Sequence, residues 1–237
     1  YELANAMTWL TGGTDGLTLQ ALRSFGGEHF AEELSELLAF ERDGFPADHP
    51  FKPVRVTPDG IALPPIHLLG YSGASAAAAG QLGAGYSFAA HFSPTPAAPA
   101  FDAYRRSFQP SEQFEKPHAM LAVSALVAPT DEEAQFLCGS QALSWALFHS
   151  GQIRKLVSPE AAAAHAYTDQ ERRIIDNQQA LWIVGSPQTV RAEIERKAAE
   201  CGADEVMVTT TMWSYELRLR SFRLLAEAFG LPGARRD

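Results

Sequence analysis

The sequence predicts an α/β fold with parallel strands and helices packed on them, and three observations carry that reading. Short apolar runs alternate with helical patterns along most of the chain. The stretch at residues 64–94, PPIHLLGYSGASAAAAGQLGAGYSFAAHFSP, condenses one whole strand, turn, helix and strand unit. The length of 237 residues is enough for one large core, of the size that a single α/β barrel buries.

Taken in order, residues 1–7 form an expected short strand, 11–15 a glycine turn and 16–25 a helical segment. Residues 29–42 are an amphipathic helix whose Leu34, Leu37 and Leu38 share one face. Residues 45–62 are rich in proline and predict an irregular segment or a small hairpin. The apolar run 66–69 is a strand closed by Gly70, after which Ser72 and Ser75 open an alanine-rich helix. A second strand at 86–90 follows, ending at His91.

At the start of that helix two readings compete. Ser72 can simply cap it. Alternatively, the serine hydroxyls, the unpaired first-turn amides and the positive end of the helix dipole converge on an anion, with Gly70 and Gly73 offering no side chain to hold a phosphate off the backbone.

Further on, the prolines of residues 93–99 bar regular structure before a helix at 101–108. Residues 119–127 read as a fully buried strand, and Thr130 with Glu133 supplies a capping box for a helix reaching about His149. An excursion at 150–180, helical from 169, interrupts the alternation. Ser186 and Pro187 then start a helix that runs to Cys201 and stops at Gly202; Ser186 is a structural cap or a second anion site. Residues 205–208 are the last strand, 209–211 leave it on the face where barrel sites lie, and 217–229 close the chain as a helix.

Composition narrows the function. With 46% hydrophobic and 20% charged residues the chain is globular rather than disordered. Nineteen Lys and Arg against 28 Asp and Glu give a net charge of -9, which disfavours nucleic acid or an anionic membrane as the main partner. The two cysteines, Cys138 and Cys201, show neither metal-ligand spacing nor a disulfide framework, so a reduced, cytoplasmic setting is expected. Apolar runs such as 120–128 are too short to span a bilayer. Seven histidines are scattered without HxxxH or HExxH spacing, and no CxxC, GxSxG or Walker A loop occurs, so metal and nucleophile chemistry rank low. Trp145, Trp182 and Trp213 are read as core aromatics rather than as walls of a pocket for a flat cofactor.

The motif LLGYSGASAAAAGQLGAGYSFAAHFSP, followed by AYRRSFQPS and EKPHAMLAV, resembles the bacterial luciferase-like flavin-dependent monooxygenases, in particular a subgroup with an LLGSS-type phosphate turn and an HFSP-type strand end. The likeness continues through TDEEA, IVGSPQTV, ADEVMVTTT and RLRSFRLLAEAF in the same order, over most of the chain from about Gly13. It implies TIM-barrel (β/α) repeats. Five strands are read, at 2–6, 66–69, 86–91, 119–127 and 205–208, against the eight of a closed barrel. The barrel is therefore expected to be incomplete, lacking the family's first three βα units, and the chain to be the C-terminal two-thirds of such a protein. It would form one domain over residues 1–237 with an insertion at about 150–181 lying over the site.

The resemblance also implies a chemistry: reduced flavin mononucleotide (FMN) and O2 acting on a small organic substrate. A deazaflavin (F420)-dependent oxidoreductase and a non-catalytic flavin-binding or structural remnant are the alternatives. Gly70, Tyr71, Ser72, Gly73 and Ser75 would bind the cofactor, although Tyr71 stands where many members carry serine or an acid. His91 would hydrogen-bond the flavin or act as acid or base, or else is a satisfied structural histidine. The arginine of the family's GRAPG-like turn is replaced by Met7, Thr8, Trp9, Leu10 and Thr11, so weak flavin binding without turnover is expected of this chain alone. The resemblance also allows a separate flavin reductase as a partner and assembly of the chain into a homo-oligomer.

Overall fold

The computed structural model of the chain describes residues 30–57, 60–152 and 154–232. The expected strand at 2–6 and the substituted turn at 7–11 lie outside the described residues. The chain divides into two compact units, Tyr1–Pro64 and Pro65–Asp237.

In the first unit, helix α1 (Phe30–Glu41) buries Leu34 and Leu37. Its Phe40 meets Phe45 edge-on at 4.8 Å and Phe51 at 5.6 Å, and His49 stacks on Phe45 at 4.4 Å. The Glu41 carboxylate accepts from the Leu63 amide at 2.7 Å. The proline-rich segment is irregular, with no strand among its described residues. Prolines remove the amide hydrogens that a hairpin ladder needs, and the aromatic cluster supplies burial in its place.

The second unit runs β1 (His67–Gly70), α2 (Gly73–Gln81), β2 (Gly85–Ala89), α3 (Ala98–Ser107), β3 (Ala119–Val127), α4 (Asp131–His149), α5 (Pro159–Ala163), α6 (Asp169–Gln179), β4 (Trp182–Gly185), α7 (Pro187–Cys201), β5 (Glu205–Thr209) and α8 (Tyr215–Ala228). Every strand pairing is parallel, as the alternation of strands and helices predicts. The order is β1-β2-β3-β4, with β5 also on β3, and among the described residues the sheet is not closed. Because β2 pairs with Ala119–Ala122 and β5 with Met120–Ser124, the two flank β3 on opposite edges. That position explains why all nine residues of β3 are buried and apolar but for Ser124.

One strand was not foreseen. Trp182–Gly185 pairs with Ser124–Val127 as β4, whereas the sequence reading passed over it as the approach to a helix cap. A run of four residues ending in Gly-Ser-Pro carries no period of its own, and pairing with β3 gives it its extended form.

Helices cover the sheet by complementary caps and small contacts. On β2, Tyr86 and Phe88 point to α3, their rings 6.0 and 6.2 Å from Phe101. Gly80 of α2 lies so near α3 that a Cβ would fall 2.4 Å from Ser107 Oγ. Thr130 caps α4 by accepting from the Glu133 amide at 3.2 Å, but the Glu133 carboxylate pairs with Arg220 of α8 instead of closing the expected box. The 150–180 excursion folds as α5 and α6 against α4, where Leu126, Leu137, Cys138, Ile175 and Trp182 form one apolar cluster. Trp145 lies edge-on to Trp182 at 6.5 Å in that cluster, so both are core aromatics. Gly202, at φ 64°, ends α7 in the left-handed conformation predicted for it. Arg105 of α3 donates to the Cys201 and Gly202 carbonyls there, tying the two helices together. No helix among the described residues is long and apolar enough to cross a membrane.

Candidate functional site

Gly70 ends β1, and Ser72, extended at φ -127° and ψ 158°, turns the chain into α2. A capping box holds that turn: Ser72 Oγ accepts from the Ser75 amide at 3.2 Å, and Ser75 Oγ accepts from the Ser72 amide at 3.4 Å. Gly70 is required by this closure, since a Cβ there would lie 2.2 Å from Ser75 Oγ. Gly73 is not required by packing, as its Cβ would meet only open space. The amides of Gly73 and Ala74, in the exposed first turn of α2, take no hydrogen bond among the described residues.

Behind the turn stands Tyr86 of β2, fully buried, with its hydroxyl 3.3 Å from both the Ser72 carbonyl oxygen and Ser75 Oγ. Burial pushes the Tyr86 phenol above its ordinary pKa, so it keeps its proton. Sequence reading missed this residue. The β1 and β2 register, Leu68 opposite Tyr86 and Gly70 opposite Phe88, is what brings it to the turn, and no local pattern encodes that pairing.

The other predicted residues gather at the same end of the sheet. Tyr71 is 58% exposed and meets Phe92 edge-on at 5.9 Å, linking the loop after β1 to the loop after β2. Phe92 in turn meets His91 edge-on at 4.5 Å. His91 stands just past the end of β2, half-buried, with Nδ1 3.4 Å from the Ala122 carbonyl. Since Tyr86 and Phe88 face α3, alternation places Ser87 and Ala89 on the opposite face of the sheet. Ser87 is buried there and its hydroxyl has no partner among the described residues. Thr210, just after β5, is buried with an equally unpartnered hydroxyl.

The second serine-capped helix start is different. Ser186 caps α7, accepting from the Thr189 amide at 3.4 Å, but the N-terminus already holds an anion, because the Asp131 carboxylate accepts from the Ser186 amide at 2.6 Å and from Thr189 Oγ1 at 3.2 Å. Those bonds, the backbone one foremost, keep the Asp131 carboxyl below the usual carboxylate range. The structural reading of Ser186 therefore stands, and the α2 turn is the open one. Among the described residues no group of three or more His, Cys, Asp or Glu could hold a metal ion.

Parallel strands alternating with helices, with polar turns and a histidine at the carboxyl ends of β1 and β2, define an α/β protein of the TIM-barrel type whose sheet is open among the described residues. Within that class the chain belongs to the luciferase-like monooxygenase family, whose model matches residues 21–205. It is 37% identical over 220 residues to the uncharacterized protein YvbT of Bacillus subtilis (strain 168), covering 92% of this chain and 64% of that relative. It is 32% identical over 215 residues to a luciferase-like monooxygenase of Escherichia coli (strain K12), covering 90% of this chain and 63% of that one. The chain thus spans under two thirds of the length of these curated relatives. Among solved structures, apo-MsnO8 superposes with a TM-score of 0.72 at 26% identity, covering 98% of this chain and 75% of that one.

Proposed function

We propose that this protein binds reduced FMN and serves a monooxygenase reaction in which one atom of O2 enters a small organic substrate. The observation that carries the reading is the α2 turn: a serine hydroxyl and two unpaired amides, at a helix N-terminus beside the carboxyl end of a strand, in a chain of the luciferase-like monooxygenase family. That donor set fits a phosphate monoester. The exposed amides of Gly73 and Ala74 have no partner among the described residues, and no Cβ at Gly73 stands in front of them.

In this reading Gly70 lets the turn close, Ser72 and Gly73 face the phosphate, and Tyr71 flanks it. His91 and the unpartnered Ser87 serve the flavin ring or the substrate, His91 as a hydrogen-bonding or acid–base group. The flavin, when bound, supplies the oxygen chemistry; the protein orients it and excludes water. Both compact units belong to one luciferase-like domain, a reading supported by a family match that begins before Pro64 and ends beyond it. A cytoplasmic setting agrees with two reduced, buried cysteines.

Titration with FMN, riboflavin and F420 tests the proposal. FMN should bind more tightly than riboflavin, which lacks the phosphate, and Ser72→Asp should abolish the difference by setting a carboxylate against the phosphate. Equal binding of FMN by wild type and Ser72→Asp would remove the phosphate from this turn. Preferential binding of F420 would move the protein to the deazaflavin enzymes of the same fold.

A further inference from the structure

We propose that Tyr86 is a positioning residue that orders the hydrogens of the α2 turn, so that Ser75 braces the turn from within and only Ser72 and the backbone face the ligand. This rests on the reading of the turn as the flavin phosphate site.

Counting protons leads there. The Ser75 hydroxyl has one hydrogen, and its shortest bond, 2.9 Å, is to the Ser72 carbonyl oxygen. With that hydrogen committed, Ser75 Oγ has two lone pairs for three neighbouring donors, Tyr86 Oη at 3.3 Å, Ser72 Oγ at 3.2 Å and the Ser72 amide at 3.4 Å. Tyr86 is fully buried and its hydroxyl has two partners, the Ser72 carbonyl and Ser75 Oγ, both in the turn. Its hydrogen therefore points into the turn whichever of the two it meets. Ser72 Oγ accepts from the Ser75 amide at 3.2 Å, and because Tyr86 supplies a hydrogen to this cluster, the Ser72 hydroxyl can turn its own outward. The outward donors are then the Ser72 hydroxyl and the amides of Gly73 and Ala74, three neutral donors on the exposed side of α2. Without the phenol, the Ser72 hydroxyl is free to fall back on Ser75 Oγ and is lost to the ligand.

The test compares FMN with riboflavin, by flavin fluorescence, on wild type, Tyr86→Phe, Ser75→Ala and the double variant. Tyr86→Phe should weaken FMN about two- to tenfold, the range of one hydrogen bond, and leave riboflavin unchanged. In the Ser75→Ala background, where the Ser72 hydroxyl has no Ser75 Oγ to fall back on, the same Tyr86→Phe change should cost no further FMN affinity, and a full additive loss there would overturn the coupling. Unchanged FMN binding by a folded Tyr86→Phe, or equal loss of FMN and riboflavin, would overturn the role of Tyr86 while leaving the phosphate site in place. A wild type that does not distinguish FMN from riboflavin would instead overturn the site itself, and this proposal with it. Should Tyr86→Phe fail to fold, Ser72→Ala decides: the Ser72 hydroxyl is the outward donor, so FMN should weaken about two- to tenfold with riboflavin unchanged, and unchanged FMN binding would overturn the proposal.

Discussion

Asp131, the first residue of α4, places its carboxylate on the first turn of α7, 2.6 Å from the Ser186 amide. A Cβ on Gly185 would lie 2.7 Å from the same carboxylate oxygen, so the glycine makes room for it. The contact separates two motifs that look alike in sequence, since the α7 start is filled by the protein's own anion and the α2 start is not. It also ties the helix after β3 to the helix after β4.

Asp131→Asn should lower the thermal midpoint at neutral pH, because an amide accepts more weakly and adds no charge to the helix N-terminus. The folded-state pKa lies below the ordinary 3.8, so the stabilisation is complete above that value and disappears as pH falls through the folded pKa. Melting curves of wild type and variant should therefore converge on acidification from pH 7 toward pH 3. A gap that stays constant with pH would assign the effect to packing.

His67 and His118 meet edge-on at 5.3 Å across β2, which carries no side chain at Gly85 between them. A Cβ on Gly85 would fall 2.3 Å from His67 Nδ1, so Gly85→Ala should cost roughly 1–3 kcal/mol by overpacking, read from chemical denaturation. Burial first, and His118 second, hold the His67 pKa below its ordinary 6.5. Folding then favours the neutral ring: stability is full above about 6.5, the unfolded value, and falls as pH drops below it toward the folded pKa. His118 is bonded to Glu205 at 2.9 Å, and this carboxylate partly offsets the effect at His67. His67→Phe should lose less stability than wild type between pH 7.5 and pH 5.5; parallel losses would acquit His67.

The Ser221 hydroxyl of α8 accepts from the buried Val127 amide at 2.9 Å, at the end of β3. Ser221→Ala leaves that amide without a partner, at a cost of about 1–3 kcal/mol in urea unfolding. Ser221→Thr, if it restores the acceptor, should recover part of the loss. An alanine variant as stable as wild type would mean that α8 contributes nothing to anchoring β3.

Both cysteines are buried and free. Burial pushes the Cys138 thiol up to about 12 and the Cys201 thiol up as well. Neither should react with a thiol-specific disulfide reagent in the native protein at pH 8, and both should do so at once in denaturant. Stoichiometric reaction of the native protein within seconds would contradict the burial.

The locally encoded features were legible in the residues alone. The span of β3 at 119–127, the α4 helix from Thr130 to His149, the Ser186 and Gly202 boundaries of α7 and the glycine–serine turn after β1 follow from apolar periodicity and cap chemistry, each written within a few neighbouring positions. Parallel pairing followed from the alternation. The choice of the α2 turn as the candidate site came instead from the family resemblance, since a strand, a glycine and a serine cap in a row fit a plain helix start equally well.

What the tertiary structure decided are partnerships between distant positions. Asp131 and Ser186 are 55 residues apart, Val127 and Ser221 are 94, and Tyr86 reaches Ser72 over 14 only because β1 and β2 lie in register. The four residues of β4 became a strand through β3 alone, and Glu133 left its capping box for Arg220 on another helix. A cap or a hydrophobic stripe is settled by its own neighbours, whereas a hydrogen bond between elements exists only once packing has set their separation. For that reason the sequence by itself could mark two serine-capped helix starts, and only the folded chain, by laying Asp131 on one and Tyr86 behind the other, made one a structural joint and left the other open to a ligand.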